Sequence, residues 1–155
     1  VLERERVDVA GMCRAAAEAL KGRVDEKDQK LELALEPSAG SVIGDARRLR
    51  ESVEHILRNA VAYTDEGGHI WLKASGSDDA ATIIIVDNGP GLAPEQQEEV
   101  FARFHRSGVA RGEAALGLGL PLTRQFVEAH GGTVVMESAL AKGTSVTLTI
   151  PRAPQ

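Results

Sequence analysis

Several things are scarce in this chain, and each scarcity removes a class of protein. It has one cysteine in 155 residues, so neither a disulfide nor a Cys-based metal cluster can form within it. Cys13 sits in a helical pattern among alanines, where a small apolar core residue is the expected role. No apolar run approaches the roughly 20 residues of a membrane-spanning helix, and the charged start Val1-Leu2-Glu3-Arg4 is not a signal peptide. The expected location of this domain is therefore cytoplasmic. Its start without an initiator Met suggests an excised fragment, whose parent has room upstream for a membrane anchor or further domains. Excess positive charge is absent too: 18 Lys and Arg face 23 Asp and Glu for a net charge of −5. Nucleic-acid readers concentrate Lys and Arg on one face, so nucleic acid is not an expected partner. Repeats and low-complexity tracts are also missing.

What is present is enough for one core, with 43% hydrophobic residues in a length typical of one domain. A short strand over residues 3–9, read as an edge strand of the sheet, leads into a helix over Val9–Val24, whose apolar positions Met12, Ala16, Ala19 and Leu20 follow helical spacing. Leu31–Leu35 alternates as a half-buried strand, Pro37–Gly40 turns, and Ser41–Ile43 is a brief strand. Asp45 is placed to cap a second helix reaching Tyr63, with Leu49, Val53, Ile56, Leu57 and Ala60 on one face. Two strands, His69–Ser75 and Ala81–Val86, read as a hairpin around Gly76-Ser77-Asp78-Asp79. A short helix from Pro94 to Val100, a loop over Arg103–Leu116, a helix over Gly117–Ala129 and strands Thr133–Glu137 and Ser145–Ile150 follow. The fold class is α+β: a two-layer sandwich of a mixed, mostly antiparallel sheet with helices on one face.

Four segments carry polar groups where ligand chemistry is possible. Asn59 lies on or near the helix face that holds Ile56 and Tyr63. Asn is a modest helix former, so its amide either serves the structure or meets a partner such as a hard cation with oxygen ligands. Asp87-Asn88-Gly89-Pro90-Gly91 ends a strand with a carboxylate followed by two glycines. It is a plain Asn-Gly turn or a site where the carboxylate accepts from an exocyclic amine such as that of adenine. Gly117-Leu118-Gly119-Leu120, with Pro121 in the first turn, opens a helix. Those glycines either allow close packing or leave backbone N–H groups free for phosphate oxygens. Gly143-Thr144 reads as a turn before the last strand.

In this order, with a Gly-containing loop between the second and third, the four segments resemble the nucleotide-binding boxes of the histidine kinase catalytic domain. Phe101-Ala102-Arg103-Phe104 falls where that family has its F box. The resemblance runs from Glu5 to Pro151 and implies a Bergerat-type ATP-binding fold with ATP and Mg²⁺ as cofactors. By residue matching it implies that Asn59 holds Mg²⁺, Tyr63 packs near the adenine and Asp87 binds its amino group. Gly89 and Gly91 would shape the pocket floor. Leu116, Gly117, Leu118, Gly119 and Leu120 would lie against the phosphates, and Thr144 near the base. Arg106 would reach the γ-phosphate; His55, which does not match the family pattern, is a candidate catalytic group that would assist Mg²⁺-bound water or phosphate. The implied reaction transfers the ATP γ-phosphoryl group to a histidine on a separate helical-hairpin domain.

The match has departures. His55 stands where many members have asparagine, Ala62 where a basic residue often contacts phosphate, and Ala115-Leu116 where a glycine and a small residue are usual. The acceptor histidine of the family is followed by an acidic residue, whereas His55, His69, His105 and His130 precede Ile56, Ile70, Arg106 and Gly131. The acceptor is expected upstream, in a parent that is a homodimer and signals to a response regulator. The related ATPases of the Hsp90, gyrase B and MutL kind place a glutamate where this chain has His55. A second class, kinase-like regulators of the DivL kind, keeps the fold and acts by binding a partner protein. The Arg103–Leu116 loop carries Gly108 and Gly112 and no apolar period, so without nucleotide its amides should exchange with solvent far faster than those of the helices. Uniform protection of this stretch in a hydrogen-exchange experiment would contradict a lid.

Overall fold

The computed structural model describes residues 4–89, 123–139 and 143–152. The expected Pro94–Val100 helix, the Arg103–Leu116 loop and the Gly117 helix start lie outside the described residues. The chain runs β1 (Glu5–Asp8), α1 (Val9–Glu26), β2 (Lys30–Leu35), a 3₁₀ turn (Pro37–Ala39), β3 (Ser41–Gly44) and α2 (Ala46–Tyr63). It continues with β4 (His69–Gly76), β5 (Ala80–Asp87), a helix α3 described over 123–129, β6 (Thr133–Ala139) and β7 (Gly143–Pro151).

Each helix forms because an apolar stripe of helical period finds the sheet. In α1 the buried side chains are Val9, Met12, Cys13, Ala16, Ala17, Leu20 and Val24. In α2 they include Leu49, Val53, Ile56, Leu57, Ala60 and Val61. Asp45 caps α2 as its position suggests: Oδ1 accepts from the Arg48 amide at 3.1 Å, satisfying one N–H that the first turn leaves unpaired. Cys13 is fully buried, and desolvation pushes its thiol up to about 12. It is a core residue.

The main sheet has the order β2-β4-β5-β7-β6. β2 and β4 are parallel and the remaining pairs antiparallel. Period-two alternation puts Ile70, Leu72 and Ala74 of β4, Ala81, Ile83 and Ile85 of β5, and Val146, Leu148 and Ile150 of β7 in the core. Full burial of each large side chain stabilises the fold by about 1.5–3 kcal/mol. Leu33 lies in register with Leu72 yet stays 43% exposed, because β2 is an edge strand.

Two details differ from the reading of the sequence. β1 and β3 form a separate antiparallel ribbon rather than extending the main sheet. Four residues of alternation reveal which side chains point inward, here Val7 and Val42, but not which strand lies alongside. Gly143 and Thr144 are not a turn before the last strand; they are the first residues of β7. Thr144 pairs with Asp87 of β5 on one side and with Ser138 of β6 on the other.

Long-range polar ties close the fold at both ends. His130, just past α3, accepts from the Asp45 amide through Nε2 at 3.0 Å and donates from Nδ1 to the Phe126 carbonyl at 2.6 Å. That pair of bonds requires the neutral ring with its proton on Nδ1. At the other end, Arg152 donates Nη1 to the carbonyls of Ala39 at 2.9 Å and Ser41 at 2.8 Å. Its Nη2 donates to Ser38 O at 2.8 Å and its Nε to Ser77 O at 2.9 Å. One planar fork thus joins the 3₁₀ turn, β3 and the β4–β5 hairpin to the end of β7. Arg152→Ala should lower stability by roughly 2–3 kcal/mol, the range for losing charge-assisted bonds at a partly exposed site. Arg152→Lys should recover only a minor part, since an ammonium cannot span four carbonyls; equal denaturant midpoints for wild type and Arg152→Ala would refute the latch.

Candidate functional site

At the end of β5 away from Arg152, elements distant in sequence converge on one carboxylate. Asp87 is the last residue of the strand and points to the buried face, where it is only 6% exposed. Its Oδ1 accepts from the Gly89 amide at 2.8 Å. No ion pair reaches it among the described residues, so burial raises its pKa above the usual carboxylate value. The Gly89 and Thr144 amides act the other way by donating to the charged form. The Thr64 hydroxyl also favours that form by proximity, although its Oγ1 makes no hydrogen bond within strict geometry.

The glycines around Asp87 are required by close approach. A Cβ on Gly89 would come 2.9 Å from the Tyr63 carbonyl and 3.0 Å from Asp87 Oδ1. Gly143 has φ +86°, and a Cβ there would run into the Asp87 carbonyl oxygen. The backbone at the end of α2, the turn after β5 and the start of β7 therefore meet with no room for side chains between them. Gly91 lies outside the described residues, as do Arg106 and Leu116, Gly117, Leu118, Gly119 and Leu120.

On α2 the site faces outward from the core stripe. Asn59 is 8% exposed, and neither its Oδ1 nor its Nδ2 has a hydrogen-bond partner among the described residues. An unsatisfied buried amide costs about 1–3 kcal/mol per group, so the arrangement is unfavourable unless a further partner completes it. One residue earlier, Arg58 Nε is also buried without a partner among the described residues. Tyr63 is half-buried at the end of the helix. His55, a turn before Asn59, is half-buried, with Nδ1 3.4 Å from the Thr123 hydroxyl of α3. Desolvation first and the Arg58 charge second hold its pKa below the ordinary histidine value. The ring is thus predominantly neutral at pH 7.

Fold and site together match known proteins. Residues 44–154 match the family described as "Histidine kinase-, DNA gyrase B-, and HSP90-like ATPase". The chain belongs to this family. It is a catalytic, ATP-binding domain of the sensor histidine kinase kind, with the α+β sandwich expected. It is 34% identical to histidine protein kinase DivJ of Caulobacter vibrioides over 97% of this chain and 25% of that protein. It is 30% identical to signal transduction histidine-protein kinase BaeS of Escherichia coli over 96% of this chain and 32% of that one. A solved structure of full-length ShkA in complex with AMPPNP superimposes with a TM-score of 0.86 at 29% identity, covering all of this chain and 32% of that one. The chain therefore spans about a quarter to a third of the length of these relatives.

Thr64, Gly143 and Thr123 belong to this region and were not singled out as site residues in the sequence, except Gly143 as part of a turn. The signal for Gly143 was only its type. Thr64 is a cap position by sequence, and nothing local links it to Asp87.

The buried carboxylate implies a trade between stability and binding. With its folded pKa raised by burial above the ordinary 3.8, Asp87 favours the fold most fully below pH 3.8, and that contribution is lost as pH rises through the raised folded value. At pH 7 the nucleotide-free domain bears the full desolvation penalty. Asp87→Asn keeps the acceptor for Gly89, so it should unfold at an equal or higher denaturant concentration than wild type at pH 7. The difference should shrink as pH approaches 3.8. A clear loss of stability at pH 7 would show that the carboxylate is structurally favourable and the assignment of strain wrong.

Proposed function

We propose that this chain binds ATP with its adenine against Asp87 and its phosphates near Asn59, and transfers the γ-phosphoryl group to a histidine of its parent protein. The single observation that carries the reading is the buried Asn59 amide, unsatisfied among the described residues and one turn from His55. Ligands are the natural partners of such a group.

Asp87 retains acceptor capacity after its contacts with the Gly89 and Thr144 amides, because an ionised carboxylate has about four lone-pair sites. An exocyclic amine fits there. Gly89 and Thr144 line the base, and Tyr63 covers it. Gly91 is assigned to the same floor. Asn59 Oδ1 is a hard oxygen ligand suited to Mg²⁺, and no cluster of three or more His, Cys, Asp or Glu side chains able to hold a metal occurs among the described residues. Such an ion would draw its remaining ligands from phosphate and water. When bound, Mg²⁺ supplies neutralisation of phosphate charge. The unpaired Arg58 Nε adds a cation on the same helix, and neutral His55 can donate or accept toward the phosphates. Arg106 and the Leu116 to Leu120 segment are assigned to the phosphates by family matching. The protein's part in the reaction is positioning and electrostatic stabilisation, with little covalent chemistry of its own.

The acceptor is a histidine on a helical hairpin in the parent, which acts as a homodimer and passes the group to a response regulator. Among the described residues no helix is long and apolar enough to cross a membrane; anchoring of the parent would be through segments beyond this domain. The relatives named as kinases favour this reading over a module that only binds a partner protein.

The test uses radiolabelled ATP with wild type or Asn59→Ala, each mixed with the parent's upstream segment. Wild type should label that segment, and Asn59→Ala should reduce transfer on the order of 100-fold or more, as loss of one preorganised charge-stabilising group does. Equal transfer by both removes Asn59 from the metal site, and no transfer by wild type favours the partner-binding module. In calorimetry, Asp87→Asn should weaken ATP binding by about 1.5–3 kcal/mol. Unchanged affinity would move the adenine elsewhere.

A further inference from the structure

Behind the proposed base site lies a polar brace from a different part of the chain. Gln29, between α1 and β2, is 8% exposed, and its Nε2 donates to the carbonyls of Val61 at 3.0 Å and Thr64 at 2.8 Å. Both amide hydrogens are used. A flipped amide would set its oxygen against two carbonyl oxygens, so the geometry admits one orientation. Gln29 is itself held, its backbone N–H donating to Val24 O at 3.0 Å. Beside it, Lys27 Nζ donates to Val61 O at 2.8 Å and Ala62 O at 3.2 Å. The Lys27 carbonyl accepts from Gly67 N at 2.8 Å, which fixes the turn after α2.

The last carbonyls of a helix have no partner within it. In α2 those of Val61 and Ala62, together with that of the capping residue Thr64, are occupied by side chains reaching across from the end of α1. Thr64 is the residue whose hydroxyl lies beside Asp87, and the Tyr63 carbonyl is the surface against which Gly89 packs. The brace and the carboxylate thus share one short stretch of backbone, Tyr63-Thr64.

We propose that Gln29 is a positioning residue for base recognition: by holding the Thr64 and Val61 carbonyls it sets the distance between the end of α2 and Asp87, and hence how well Asp87 meets the exocyclic amine of adenine. This rests on the adenine assignment above. Gln29 touches no nucleotide in this scheme; it acts through Thr64. Losing it leaves the Thr64 carbonyl without its side-chain donor and the Val61 carbonyl with Lys27 alone, and the Thr64 backbone is then free to shift from its place over the carboxylate.

The test compares binding of ATP with binding of purine riboside triphosphate, which lacks the exocyclic amine, to wild type, Gln29→Met and Arg152→Ala. Methionine keeps the length of glutamine and removes both donors. Arg152→Ala weakens the fold at the opposite end of the sheet and serves as the control for general loosening. Wild type should prefer ATP by about 10-fold or more, the value of one hydrogen bond to a charged group. Gln29→Met should shrink that preference at least threefold, mainly by weakening ATP, while Arg152→Ala keeps the wild-type ratio. A wild type without preference sinks the adenine assignment and this inference with it. A wild-type preference that Gln29→Met leaves unchanged overturns the inference alone, and so does an equal loss in Arg152→Ala. If Gln29→Met shows no cooperative unfolding transition, Gln29→Asn replaces it, since it keeps the amide but is one methylene too short to hold both Val61 O and Thr64 O. It should lower the ratio in the same direction by a smaller factor, and an unchanged ratio there overturns the inference as well.

Discussion

A carboxylate held in the interior with no counter-charge among the described residues is the constraint around which this end of the molecule is arranged. Asp87 can be buried only if backbone donors reach it, and they come from Gly89 and Thr144. Those donors in turn need glycines on either side, because Gly89 sits on the Tyr63 carbonyl and Gly143 on the Asp87 carbonyl. The β5–β7 register, with Asp87 opposite Thr144, is what sets the two segments side by side. A slip of one residue would turn Asp87 to the outer face and break every one of these contacts.

The same logic extends to α2. Its inner stripe is ordinary core, from Leu49 to Val61, and anchors the helix on the sheet. Its other side carries polar groups that the described residues leave incomplete: the Asn59 amide and Arg58 Nε. Stability comes from one face of the helix and ligand chemistry from the adjacent one. The helix ends are fixed independently, by Asp45 and His130 at the start and by Lys27 and Gln29 at the end. An element so restrained can keep unsatisfied groups in place until a ligand meets them, which is the general condition for a preorganised site.

Much of this was legible from the sequence, for identifiable reasons. Helix positions followed from apolar spacing, and the Asp45 cap from residue type, because both are local effects of a few residues on their own backbone. Asn59 stood out because an amide is unusual in an apolar helix, and Asp87 because a carboxylate followed by glycines at a strand end is a recognisable pattern. Gly143-Thr144 was misread as a turn. Glycine usually signals a turn when only its neighbours in sequence are considered, whereas here it permits close contact with a strand more than fifty residues away.

By itself the sequence determined the alternation that buries one face of the sheet, the two amphipathic helices and the order of polar segments that marks the family. These depend on periods of 2 and 3.6 residues and on residue types, all readable along the chain. Only the tertiary structure decided that β1 and β3 form their own ribbon, that Thr144 faces Asp87, and that Gln29 braces Thr64. It also decided that Asn59 has no hydrogen-bond partner among the described residues. Each of these is a relation between residues far apart in sequence. Strand register and side-chain satisfaction are set by the packing of whole elements, and no local pattern encodes them.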